Sequence, residues 1–139
     1  MSQPVFHSLA LYKYKVLTGV DSIRLLQIER PSHTSDAISC LLTEHNVDDH
    51  PPKYAALSYV WGISRSPKPI LLNNHRVHVM TNLYDALIQI RATFPGLLLR
   101  IDDICIDQRD SQERNQQEAM MRNIYSRATH TIAWLQPAS

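Results

Sequence analysis

The chain has 139 residues and a formal net charge of +1, with 44% hydrophobic and 19% charged residues. That length and balance fit one ordinary globular domain and exclude global disorder. The near-zero charge gives no case for a nucleic-acid or anionic-membrane partner. The N-terminus lacks a signal-peptide pattern, and no apolar run approaches the ~20 residues of a membrane helix. The two cysteines, Cys40 and Cys105, lie far apart in apolar runs. They suit neither a disulfide framework nor a zinc ribbon and read as buried free thiols. The expected location is cytoplasmic.

In chain order, Ile23–Ile28 and Ile38–Thr43 read as strands. Pro51-Pro52 ends any regular element before Tyr54–Val60, a run of β-formers and small residues. Asn73-Asn74 lies between Ile70–Leu72 and Arg76–Val79, and Asn tolerates positive φ, so a tight hairpin is predicted. Asn82 with Asp85 resembles a capping box ahead of Leu83, Ala86, Leu87 and Ile90, which follow helical spacing. Pro95-Gly96 ends that helix. Leu97–Ile106 then reads as a central strand, and Asp110 with Glu113 as a second capping box. A single long helix with the stripe Gln117, Met120, Met121, Ile124, Tyr125 and Ala128 is predicted to follow, closed by a strand over His130–Leu135. Strands alternating with helices favour parallel crossovers. The fold class read from the chain is α/β, with a parallel half and an antiparallel β lead-in.

Asp102, Asp103, Asp107, Gln108, Asp110, Glu113 and Arg114 form the densest polar cluster. It falls beyond the carboxyl end of a predicted strand, where open α/β sheets bind ligands. Two readings stay open: helix caps with one buried carboxylate, or a ligand site. On a strand Asp102 and Asp103 would point to opposite faces, and Asp102 is expected to be buried. Ser58, Tyr59, Trp61 and Gly62 are a second candidate, a hydroxyl and a glycine turn at a strand end. No GxSxG elbow supports a hydrolase nucleophile there. The only glycines are Gly19, Gly62 and Gly96, which excludes phosphate-loop and dinucleotide fingerprints. The seven histidines do not cluster, and no metal site is predicted.

YAALSYVWG (54–62), NLYDAL, LRIDDICIDQ and ERNQQEAMMRNIYSRA, closed by THTIAWL, stand in one order. Together they resemble the fungal heterokaryon-incompatibility (HET) domain. The resemblance divides the chain into a β lead-in over 1–53 and a HET core over 54–139. Arg100, Asp103 and Gln136 depart from the family's usual Trp, small residue and Gly. A later R-x-W-x-x-Q-E-like segment is not found, so an incomplete core is expected. HET domains are regarded as distant relatives of TIR domains, which implies a TIR/flavodoxin-like sheet. The implied function is non-self recognition and cell-death signalling in fungi, mainly as an interaction module with protein partners or with itself.

The alternative the resemblance implies is a TIR-like site that binds or hydrolyses NAD as substrate, with no resident cofactor. Ser58, Trp61, Gly62, Asp102, Asp107, Gln108 and Glu113 are its candidate ligand-binding residues. Some TIR domains use a Glu on a helix after the third strand; that position would fall in the segment not found. Glu113 is then the only catalytic candidate, and no NAD hydrolysis is expected from this chain alone. A third alternative is an inactive, truncated paralogue.

Overall fold

The computed structural model describes residues 11–30, 37–59 and 66–134. Val60, Trp61, Gly62, Leu135 and Gln136, which figure in the sequence reading, lie outside the described residues. In chain order the elements are β1 (Ser22–Ile28), β2 (Ser39–Asn46), β3 (Tyr54–Tyr59), β4 (Lys68–Leu72), β5 (His75–Val79), α1 (Thr81–Thr93), β6 (Leu98–Arg100), α2 (Asp102–Cys105), α3 (Ser111–Ala119), α4 (Met121–Arg127) and β7 (His130–Trp134). The seven strands join in one mixed sheet, ordered β5-β4-β2-β1-β6-β3-β7. The fold is therefore α/β.

The parallel half is as expected: β6, β3 and β7 run parallel. The lead-in strands β1 and β2 pair antiparallel, Ser22–Ile28 against Cys40–Asn46. They enter the sheet itself, because β1 also pairs with β6 and β2 with β4. One sheet therefore runs through both sides of residue 53. Asn73 and Asn74, at φ 47° and 67°, make the two-residue turn of the β4–β5 hairpin. Both residues are left-handed, as a turn matching the strand twist requires.

Alternation along the strands sends side chains to two packed faces. Leu26, Ile28, Ala55, Leu57 and Leu99 join α1, through Leu83, Ala86, Leu87 and Ile90, in the larger core. Ile23, Leu25 and Tyr54 meet Ile124 of α4 in a second core on the other face. Burial on both sides explains why β1 and β3 read as nearly continuous apolar runs. Cys40 and Cys105 are buried free thiols, and burial lifts the Cys40 thiol to about 12. Among the described residues no helix is long and apolar enough to cross a membrane.

Three local expectations are corrected. Leu97–Ile106 is not one strand: β6 ends at Arg100, and α2 follows as a single helical turn, with Cys105 N–H donating to Ile101 O at 2.7 Å. Consecutive aspartates are poor strand formers but suit the first turn of a helix. The long helix is divided at Met120, whose N–H is shared among the carbonyls of Gln116, Gln117 and Glu118. The N-cap of α1 is Met80, with no side-chain cap; the Asn82 carbonyl instead accepts the Trp134 indole N–H at 3.1 Å.

Candidate functional site

The carboxyl ends of β3, β6 and β7 lie side by side, since these strands are parallel neighbours. Ligands in open α/β sheets bind beyond such ends. Here Tyr59 and Trp134 are direct cross-strand partners. Immediately after β6, the α2 turn delivers Asp102 and Asp103.

The two aspartates take partners from opposite faces of the sheet. Asp103 accepts a hydrogen bond from the Tyr59 hydroxyl. Asp102 accepts from the Tyr125 hydroxyl of α4 at 2.8 Å and from Arg100 Nε at 3.0 Å. The outcome matches the divergence expected of a strand, but its cause is the angular step of about 100° between neighbours on a helix. Asp102 is not buried as expected: its side chain is 27% exposed. Arg100, 1% exposed, extends beneath it and also reaches Arg24 O at 3.5 Å.

Burial raises the Asp103 carboxyl above the usual aspartate range, with the Asp102 charge adding to it against the lowering bond from Tyr59. Burial likewise raises the Tyr59 phenol, helped by the adjacent Asp103. Burial and the bond to Asp102 lift the Tyr125 phenol to about 12. This end of the sheet thus holds the Asp102 and Asp103 carboxyls and the Tyr59 and Tyr125 phenols, with the Trp134 indole and the Asn82 amide alongside. Carboxylate acceptors can take the hydroxyls of a diol or a cationic group, and the aromatic rings offer faces for stacking.

The other candidates are placed differently. Ser58 sits on β3 with its side chain exposed. Gln108 braces the α2 turn, donating from Nε2 to Asp102 O at 3.1 Å. Glu113 is 8% exposed and is gripped by both terminal nitrogens of Arg24, at 2.6 and 2.9 Å. Its Oε2 also accepts the Asp107 N–H at 2.7 Å. Asp110 caps α3 by accepting from the N–H groups of Gln112 and Glu113, each at 3.1 Å. Only half of the expected capping box exists, because the Glu113 side chain turns to Arg24 and Asp107.

Carboxylate oxygens of Asp107, Asp110 and Glu113 lie within 4.8 Å of one another. The donor chemistry would suit a hard cation. Arg24 and the main-chain N–H groups already neutralise much of that charge. Asp107 and Asp110 border a hollow of about 630 Å³ shared with Tyr12, Lys13, Tyr14, Arg109 and Ser111. The structure therefore separates the polar cluster in two: Asp102 and Asp103 at the strand ends, and Asp107, Asp110 and Glu113 around Arg24. Trp134, Asn82 and Tyr125 were not assigned to a site from sequence. Tyr59 belongs to the second candidate read from the sequence, near the end of a predicted strand.

Comparison with known proteins shows the family to which the chain belongs. The family model described as Heterokaryon incompatibility protein (HET) matches residues 54–139. The chain is 35% identical over 129 residues to "Heterokaryon incompatibility protein 6, OR allele" of Neurospora crassa, covering 84% of this chain. It spans 19% of that relative's length. No solved structure matches. The strand ends that carry Tyr59, Asp102, Asp103 and Trp134 all fall inside the matched region, and the chain belongs to the heterokaryon incompatibility (HET) family.

Proposed function

We propose that this chain acts in fungal non-self recognition and cell-death signalling, chiefly as a cytoplasmic interaction domain. Membership of the HET family carries the reading. An observation that favours association is β7, which pairs with β3 alone among the described strands. It offers Thr131, Ile132, Ala133 and Trp134 without a charge, and an uncharged sheet edge is a template for further pairing. The test is expression of the protein in a filamentous fungus, with growth arrest as the readout. Ala133→Lys, which places a charge at an exposed position of that edge, should relieve the arrest while the purified protein stays folded. Undiminished arrest by a folded Ala133→Lys variant would contradict the interaction role.

A second reading is a TIR-like nucleotide site. The order β6-β3-β7 favours it, because it places the second strand of the parallel half beside the first, and the third on the first's other side. That is the 2-1-3 beginning of a flavodoxin-like sheet, whose ligand sits outside the carboxyl ends at the first and third strands. In this chain that position lies beside Tyr59 and Trp134. Asp103 and Asp102 would bind ribose hydroxyls there, and the rings would stack on a base. Incubation with NAD, followed by chromatography of the nucleotides and by titration calorimetry, distinguishes binding from hydrolysis. Binding lost in Asp103→Ala supports this site; binding unchanged in that variant excludes it.

A further inference from the structure

Lys13–Thr18 forms neither helix nor strand, and among the described residues no hydrogen bond between main-chain groups ties it to the sheet. Bonds with a side chain on at least one side hold the segment from Tyr12 to Thr18 instead. The Tyr12 hydroxyl accepts from Asn73 Nδ2 at 3.1 Å. The Tyr14 hydroxyl donates to Ile104 O at 2.8 Å. Lys15 O accepts from Arg24 Nη2 at 2.7 Å. Thr18 donates through its N–H and its hydroxyl to Glu44 Oε2, at 3.0 and 2.6 Å. The Tyr12 and Tyr14 rings meet edge to face at 4.9 Å, and the Arg24 guanidinium lies 4.8 Å from the Tyr14 ring centre.

One of these contacts reaches the end of α2 directly, and a second reaches it through Arg24. The last carbonyls of a helix have no partner within it. Here Ile104 O takes the Tyr14 hydroxyl, and Cys105 O takes Arg24 Nη1 at 3.1 Å. Arg24 is itself held by Glu113 and by Lys15 O. The far side of the same four-residue turn presents Asp102 and Asp103 to Tyr125 and Tyr59. A single turn has little helical stability of its own, so its position depends on what grips its two ends.

We propose that residues 12–18 form a releasable strap that sets the α2 turn, so that detaching the strap loosens Asp102 and Asp103 at the strand ends. The strap is built for release, because single contacts made through side chains open one at a time, unlike a sheet ladder. The coupling is reciprocal: whatever binds the two aspartates and stiffens the turn also tightens the strap.

Hydrogen exchange of the intact chain tests this. Tyr14→Phe keeps the ring over Arg24 and removes only the bond to Ile104 O. It should accelerate exchange at the N–H groups of Ile104, Cys105 and Ile106 roughly two- to tenfold, the range expected for one hydrogen bond. The N–H groups of α1 should stay at their original rates. Thr18→Val removes the strap's hydroxyl bond to Glu44 while leaving Glu44 in place opposite Arg24, and should accelerate the same three groups more weakly. Equal acceleration throughout the molecule would overturn the proposal, since it would show loss of general stability. An α2 response to Tyr14→Phe with none to Thr18→Val would also overturn it, reducing the strap to one local bond. No α2 response to either variant would overturn it outright.

Discussion

At the residue scale, Glu113 shows how one carboxylate can be read two ways. The sequence offers it as a capping residue or as a catalytic candidate, and its surroundings are set by Arg24, 89 positions away in the chain. Arg24 stands within the apolar run of β1, where local pattern alone gives no reason to look for its partner. Removing one member of a buried ion pair strands the other charge, so Glu113→Ala should lower stability by about 3–5 kcal/mol. Replacing both residues, Arg24→Met with Glu113→Leu, should recover much of that loss. Denaturant midpoints of the three proteins check this; a near-neutral Glu113→Ala would mean the pair is not closed to water. Asp110→Ala removes only the α3 cap and should cost about 1 kcal/mol.

Asp103 gives a pH signature. Its carboxyl binds a proton more tightly in the folded chain than in the unfolded one. A group shifted in that direction favours folding as pH falls through its folded pKa and opposes folding as pH rises above it. Asp103→Asn should therefore flatten the decline in stability as pH rises from the ordinary aspartate range through the raised one. Thermal midpoints between these pH values decide it. A decline that persists unchanged in Asp103→Asn would assign the dependence to another group.

At the element scale, the most legible features were those fixed by neighbours in sequence. The Asn73-Asn74 turn, the edges of β1 and β3, and the apolar stripe of α1 follow from residue type and spacing. Asn74 sits at φ 67°, where a non-glycine side chain costs roughly 1–2 kcal/mol unless it bonds locally as Asn does. Asn74→Gly should therefore leave the unfolding midpoint near its original value, while Asn74→Val lowers it; equal midpoints would deny the left-handed turn.

The Ile101–Ile106 segment was misread because its apolar residues, Ile101, Ile104 and Ile106, satisfy a strand and a helical turn alike. What decides between them is distant: Tyr14 and Arg24 take the carbonyls that a strand would have offered to a neighbour. The capping position at Asn82 failed for a related reason, since Trp134, 52 residues later, claims its carbonyl.

At the scale of the whole molecule, the parallel half could be read from the alternation of strands and helices, but the insertion of β1 and β2 between it and the β4–β5 hairpin could not. Strand order is settled by pairings between residues tens of positions apart, to which periodicity is blind. That order gathers Tyr59, Asp102, Asp103 and Trp134 at one end of the sheet, although they span 76 positions of chain. The HET resemblance located the segments; the sheet determined which of their polar residues meet.

The central proposal is that the domain acts chiefly by association through the uncharged edge of β7. The most direct measurement is growth arrest in a filamentous fungus expressing the protein with Ala133→Lys, at matched abundance and with folding verified by thermal midpoint. The account predicts that arrest is lost while the fold persists. Arrest as strong as that of the unaltered protein would contradict it.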